Sequence, residues 1–216
     1  MTTVEQRRKA RTLRNLHSGP VVLVLPNVWD PIGARVLASK GYPAVATASA
    51  AVSASLGFED GEKITRRTML EVIHRISRSV AVPVTADMEA GYGASVAELE
   101  DTTRGLVDTG AVGMNIEDSL EEGGPLRPAD EQAERIATVR EAAAARGLDL
   151  VINARVDAFL SDRFDQVEER IDEAVARAEA YRRAGADCIY PIGPGDVETH
   201  RAAVTHHPAI ERPGYA

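Results

Sequence analysis

Six compact apolar runs punctuate the chain, at positions 21–25, 44–47, 83–86, 112–116, 148–153 and 188–191. Each has the length of a buried strand. The segments between them read as helices: from Asp30 to about Gly41, then 65–80, 95–109, 128–146 and 165–184. Positions 196–204 read as the start of another, and a polar helix over Val4–His17 precedes the first strand. Local punctuation agrees with this division. Asp30-Pro31 places an N-cap before a proline at the first helical position, and Gly41 suits the residue after a helix end. In the 65–80 helix, Met69, Val72, Ile73 and Ile76 fall on one side together with Ile64.

Strand–helix alternation with mostly short connections implies parallel strands with helices outside. A doubly wound sheet would alternate in the same way, but no Gly-x-Gly-x-x-Gly opens a helix after the first strand. Polar residues instead close nearly every strand, the pattern of a βα-barrel rim. No repeat or low-complexity linker divides residues 1–216, so one domain is expected, with an irregular tail over 205–216. A complete barrel has eight βα units and about 250 residues; about six units are found here. Two open sheet edges would follow, and with them self-association into a homo-oligomer.

Composition narrows the partners. With 216 residues, 44% of them hydrophobic, the chain can bury a sizeable core. Its 25 basic and 33 acidic residues give a net charge of −8 and a pI near 5.2, against a nucleic-acid surface. The basic run at 7–11 reads as a solvated helix face. No apolar leader segment and no stretch near the roughly 20 residues of a membrane span occurs, so a cytoplasmic protein is expected. The single cysteine, Cys188, excludes an internal disulfide and a cysteine-based zinc site, and reads as core.

The candidate chemistry sits at three successive strand ends. The third strand runs into Asp87-Met88-Glu89-Ala90-Gly91-Tyr92-Gly93, the fourth into Asn115-Ile116-Glu117-Asp118, and the fifth into Asn153-Ala154-Arg155-Val156-Asp157. Asp87 and Glu89, two apart, would share a face in regular strand geometry and point into the barrel mouth. Carboxylates without His or Cys suit Mg²⁺ or Mn²⁺, with one or two acids binding directly and the rest through water. A lone pair of such acids is more simply a helix cap or loop charge; repetition at successive strand ends favours a site. Arg155 offers a planar fork to a small anionic carboxylate or phosphonate, or else forms a structural salt bridge with Asp157 or Glu117. Beyond the second strand, small residues around Ser49, Ala50 and Ala51 let an anion approach backbone N–H groups, although a tightly packed loop reads equally well. Asp60, in the turn at 57–61, is placed to reach a metal-bound water. The five histidines lie on helices or in the tail, and no Ser-His-Asp or Cys-His arrangement occurs.

Together these residues resemble the isocitrate lyase/phosphoenolpyruvate mutase superfamily, over about Leu16 to Glu198. The most specific matches are the motifs at 86–93, 115–118 and 153–158 and Ile189-Tyr190-Pro191. The resemblance implies a (β/α)8-type TIM barrel of the phosphoenolpyruvate mutase kind that binds Mg²⁺ and a small 2-oxo or 2-hydroxy acid. It implies a C–C or P–C bond made or broken through a metal-stabilised enolate. By resemblance Asp87 holds the metal, with Glu89, Glu117 and Asp60 reaching it mainly through water. Arg155 and Asn115 bind substrate, the Ser49–Ala51 backbone steadies an enolate oxygen or carboxylate, and Arg155, Asp60 and Glu117 form the catalytic set. Two departures stand out. Lyases of this family carry an acid/base cysteine in a Lys-Cys-Gly-His type loop, whereas residues 119–128 contain no Cys, His or Lys. Isocitrate or methylisocitrate cleavage is therefore not expected, and Arg127, always charged, is a poor proton donor. Two further βα units are also missing, so the expectation is a chain truncated after about Val204. The second reading is a non-catalytic remnant of such an enzyme.

Overall fold

The protein is described here by a computed structural model covering residues 2–120, 124–196, 198, 199 and 201. Six strands, β1 (Asn27–Val28), β2 (Val45–Thr47), β3 (Val84–Asp87), β4 (Gly113–Glu117), β5 (Val151–Val156) and β6 (Cys188–Pro191), form one sheet in chain order. Every neighbouring pair is parallel. The order never reverses, so no doubly wound switch point exists among the described residues. One cavity of about 660 Å³ is lined by residues from all six strands, which means the sheet curls around it as in a TIM-type barrel.

Seven helices occupy the described chain: α1 (Val4–His17), α2 (Pro31–Ser39), α3 (Ser49–Ser55), α4 (Arg66–Ser77), α5 (Val96–Thr109), α6 (Ala129–Ala145) and α7 (Val167–Arg183). Their starts follow the local chemistry. Thr3, Asp30, Thr65 and Ser95 each cap a helix with a side-chain oxygen, and Ser95 with Glu98 completes a reciprocal capping box. The strands alternate as a barrel wall must. In β5, Ile152, Ala154 and Val156 are fully buried, while Val151, Asn153 and Arg155 line the cavity. Leu13 of α1 packs at the wall where β4 has Gly113. A Cβ there would lie 2.5 Å from Thr85 Oγ1 and 2.8 Å from Leu13 Cδ2. An ion network of Arg14, Asp149, Asp187 and Arg140 ties α1 and α6 to the entries of β5 and β6. No helix among the described residues is long and apolar enough to cross a membrane.

Several expectations change. The first apolar run is not a strand: Val21, Val22 and Val24 are exposed, and pairing with β2 involves only Asn27 and Val28. The small-residue stretch after β2 is not a loop but α3. β5 starts later and runs to Val156, so Arg155 stands within the strand rather than beyond it. Cys188 is half-buried at the start of β6 and packs against the core, which pushes its thiol up to about 12. Asp196 accepts hydrogen bonds from Thr199 N–H and Oγ–H at 2.8 Å, as a helix N-cap would. The remainder of that expected helix and the 205–216 tail lie outside the described residues.

Candidate active site

Strand register assembles the polar rim. Asp87, Asn115 and Asn153 are successive register partners across β3, β4 and β5, and one rung further on Glu117 pairs with Arg155. Side chains on one rung of a parallel sheet are neighbours, so the contacts follow directly. Asn153 Nδ2 donates to Asn115 Oδ1 at 2.9 Å, and Asn115 Nδ2 donates to Asp87 Oδ1 at 3.1 Å. Arg155 Nη1 lies 2.7 Å from Glu117 Oε2.

Asp87 is held from both sides. Its Oδ2 accepts from Ser49 N–H at 3.1 Å and Ser49 Oγ–H at 2.8 Å, and Glu89 N–H approaches Oδ1 at 3.3 Å. With Asn115, four donors face four acceptor positions. Ser49 begins α3, so its N–H is spent on Asp87, while Ala50 and Ala51 present first-turn N–H groups without an intrahelical acceptor.

Glu89 is placed differently from expectation. β3 ends at Asp87, and Glu89 adopts a left-handed backbone (φ +50°) that turns it out of the strand alternation. Its carboxylate is buried in a clamp. Oε2 accepts from Gly61 N–H at 2.9 Å and from Glu62 N–H, while Oε1 accepts from Tyr92 O–H. Glu62 Oε1 in turn accepts from Tyr92 N–H at 2.7 Å. Glu62 and Tyr92 also have positive φ, so the segment at 60–62 and the turn after β3 are locked to each other. Burial raises the Glu89 carboxyl above the usual range against these hydrogen bonds, and the Asp60 and Glu62 charges add to the rise. Asp60 lies beside this clamp with its Oδ1 buried and unpartnered.

Glu117 and Arg155 form the opposite wall. Arg155 uses Nε and Nη2 in a bidentate bridge to Asp157, at 2.7 and 2.9 Å, and Nη1 on Glu117. Both structural bridges considered from sequence are thus present. Among the described residues, three of its five N–H donors are engaged. Burial pushes the Glu117 carboxyl up to about 8. Arg155 opposes that rise; the nearby Asp157 and Asp87 charges reinforce it. Asp118, expected with the rim acids, is fully buried instead and accepts from Tyr181 O–H at 2.7 Å and Arg177 at 3.1 Å.

The donor set fits a hard divalent ion, being carboxylate and amide oxygens only. Among the described residues, no three His, Cys, Asp or Glu side chains converge closely enough to hold an ion by themselves. Of the three acids expected to hold it, Asp87 lines the cavity, whereas Glu89 is engaged in the clamp and Glu117 with Arg155. Residues 121–123 of the loop after β4 lie outside the described residues. Its base is defined, with a Ser119–Leu126 bridge. Tyr92, Glu62, Asn153 and Asp157 complete the site and were not among the expected site residues; Asn153 and Asp157 carried a signal, standing in the polar motif that ends the fifth strand.

Comparison with known proteins places this geometry. The family model for phosphoenolpyruvate phosphomutase matches residues 13–210. The chain is 30% identical over 193 residues to 2-methylisocitrate lyase of Bacillus subtilis strain 168, covering 86% of this chain and 60% of that protein. It is 32% identical over 192 residues to oxaloacetate decarboxylase of Paraburkholderia xenovorans LB400, covering 85% and 61%. A crystal structure of a Burkholderia cenocepacia J2315 protein assigned as a phosphonomutase superposes with a TM-score of 0.86 at 41% identity, over 93% of this chain and 81% of that one. The chain thus spans about 60% of the length of these two curated relatives. The matching family model, the shared barrel and the retained rim motifs mean that the chain belongs to the isocitrate lyase/phosphoenolpyruvate mutase superfamily.

Proposed function

We propose that this chain carries the site of an Mg²⁺-dependent lyase or mutase that makes or breaks a C–C or P–C bond of a small 2-oxo or 2-hydroxy acid by way of an enolate. The observation that carries the reading is that Asp87, Asn115, Asn153 and Arg155, brought together by strand register, line a cavity large enough for such an acid. Asp87 would hold the cation directly, with Glu117, Glu89 and Asp60 reaching it through water. Bound there, Mg²⁺ (or Mn²⁺) would supply positive charge beside the substrate oxygen on which negative charge develops.

The chain's own groups would do the rest. Arg155, oriented by Asp157, offers its guanidinium to a carboxylate or phosphonate. The first-turn N–H groups of Ala50 and Ala51 and the Asn115 amide complete an anion cradle. Burial raises the Glu117 carboxyl against the Arg155 countercharge, and the group can exchange a proton there. The missing Cys, His and Lys of the 119–128 loop argue against cleavages that need an acid from that loop on the departing carbanion, and for loss of CO2 or transfer of a phosphoryl group from carbon to water or to the enolate oxygen. The same absence favours the second reading, a site that binds but does not turn over.

Incubation with oxaloacetate and with phosphonopyruvate, each with Mg²⁺, followed by ¹H and ³¹P NMR of all products tests the proposal. Pyruvate or an enol phosphate formed above the Mg²⁺-only background, and lost in Arg155→Ala, supports it. A folded protein that adds nothing to either background overturns the catalytic reading.

A further inference from the structure

A buried polar cluster lies behind the site. Asp118 and Tyr181 are fully buried, and Arg177 and Asp157 are each 2% exposed. Asp118 Oδ2 accepts from Tyr181 O–H at 2.7 Å and from Arg177 Nη1 at 3.1 Å. Its Oδ1 accepts the backbone N–H of Asp157 at 2.9 Å. Asp157 is the residue whose carboxylate grips the Arg155 fork. Glu117 and Asp118, adjacent in sequence, therefore straddle the Arg155–Asp157 pair. Glu117 contacts the guanidinium, and Asp118 fixes the Asp157 backbone.

Arg177 extends the same cluster to the loop after β4. Its Nη1 donates to the Arg127 carbonyl at 2.8 Å, and Arg127 N–H donates to the Asp118 carbonyl at 2.8 Å. Both ends of that loop's base are thus fastened to α7. Burying charges in this way adds little net stability compared with apolar packing of the same shape. What the arrangement does supply is a fixed geometry, and that geometry ends at Arg155.

We propose that Asp118, Arg177 and Tyr181 are positioning residues for Arg155: α7 holds Asp118, Asp118 holds the Asp157 backbone, and Asp157 aims the guanidinium at the substrate carboxylate or phosphonate. The inference rests on the proposed function for the identity of the ligand, but not for the orientation of Arg155.

Tyr181→Phe keeps the ring and removes one donor to Asp118. Two readouts test it in the full-length chain. The first is the Arg155 Nε–H resonance in a ¹H–¹⁵N spectrum, assigned by its loss in Arg155→Lys. The second is calorimetric affinity for oxalate with Mg²⁺, set beside affinity for Mg²⁺ alone. The resonance is expected to shift and to exchange faster with water. Oxalate affinity is expected to fall by up to about 10-fold, the lower end of what loss of a direct outer partner costs a metal ligand, with Mg²⁺ affinity unchanged. A purely structural role would lower the melting temperature and leave the resonance and the oxalate affinity at wild-type values, which overturns the proposal. If Tyr181→Phe does not fold, Arg177→Lys is measured instead. It keeps the countercharge but loses the planar fork, and the same two readouts decide. If the wild type itself ignores oxalate, the functional reading falls and the Arg155 resonance alone decides the positioning claim.

Discussion

Glu117→Gln probes the electrostatics of the rim without changing its shape. The Glu117 carboxyl is raised from 4.5 to about 8, chiefly by burial, and only 15% of the side chain is exposed, so solvent screening is limited. Between those two values the folded protein keeps a proton that the unfolded chain has released. The stability this group contributes is fully present below pH 4.5 and is lost as pH rises toward 8. At about 1.4 kcal/mol per tenfold change in proton affinity, the loss between pH 5 and pH 8 is at most about 4 kcal/mol. Glutamine cannot ionise, so the variant lacks this component of the pH dependence. Burial also raises Glu89, Glu62 and Asp118, and their contributions have the same sign in both proteins. The difference between the two proteins therefore isolates Glu117. Urea unfolding in metal-free buffer from pH 5 to pH 8 should show Glu117→Gln gaining on the wild type as pH rises. Added Mg²⁺ should narrow the gap, because a nearby cation favours the ionised carboxylate. Parallel pH dependence of the two proteins, within about 1 kcal/mol, would refute both the burial argument and the assignment of Glu117 to the rim.

Two further substitutions test the scaffold around the site. Gly113→Ala forces a methyl against Thr85 and Leu13 and should cost about 1–3 kcal/mol. For a chain of this size that lowers the melting temperature by about 2–12 °C, and an unchanged scan would contradict the close packing of α1 on β4. Tyr92→Phe removes a donor from the buried Glu89 carboxylate and should destabilise by about 1.5–3 kcal/mol in urea unfolding at neutral pH. Wild-type stability in that variant would mean the clamp between the 60–62 segment and the turn after β3 does not hold in solution.

Much of this architecture is legible in the sequence because strand ends are punctuated by polar residues. Asp87, Asn115, Glu117 and Arg155 stand at the rim as their motifs imply, and the register explains why: they occupy two adjacent rungs. The errors have physical causes. The apolar run at 21–25 looks like a buried strand, but β1 is a sheet edge and pairs only at Asn27 and Val28. Glu89 cannot be placed by period-two reasoning, since the strand ends at Asp87 and the positive φ of Glu89 turns the chain away. The helix α3 is composed of Ser, Ala and Val without an apolar stripe, so nothing but the helix propensity of Ala marks it. The hydrogen bonds that Asp118 accepts from Asp157 and Tyr181 span 39 and 63 residues, a separation that one sequence does not reveal.

Calorimetry of the folded protein with Mg²⁺ and oxalate, a planar mimic of the pyruvate enolate, tests the central claim most directly. Saturable binding of oxalate that requires Mg²⁺ and disappears in Asp87→Ala is the predicted result. A folded wild-type protein that gives no heat with both ligands present would contradict the assignment of these two rungs as an enolate site.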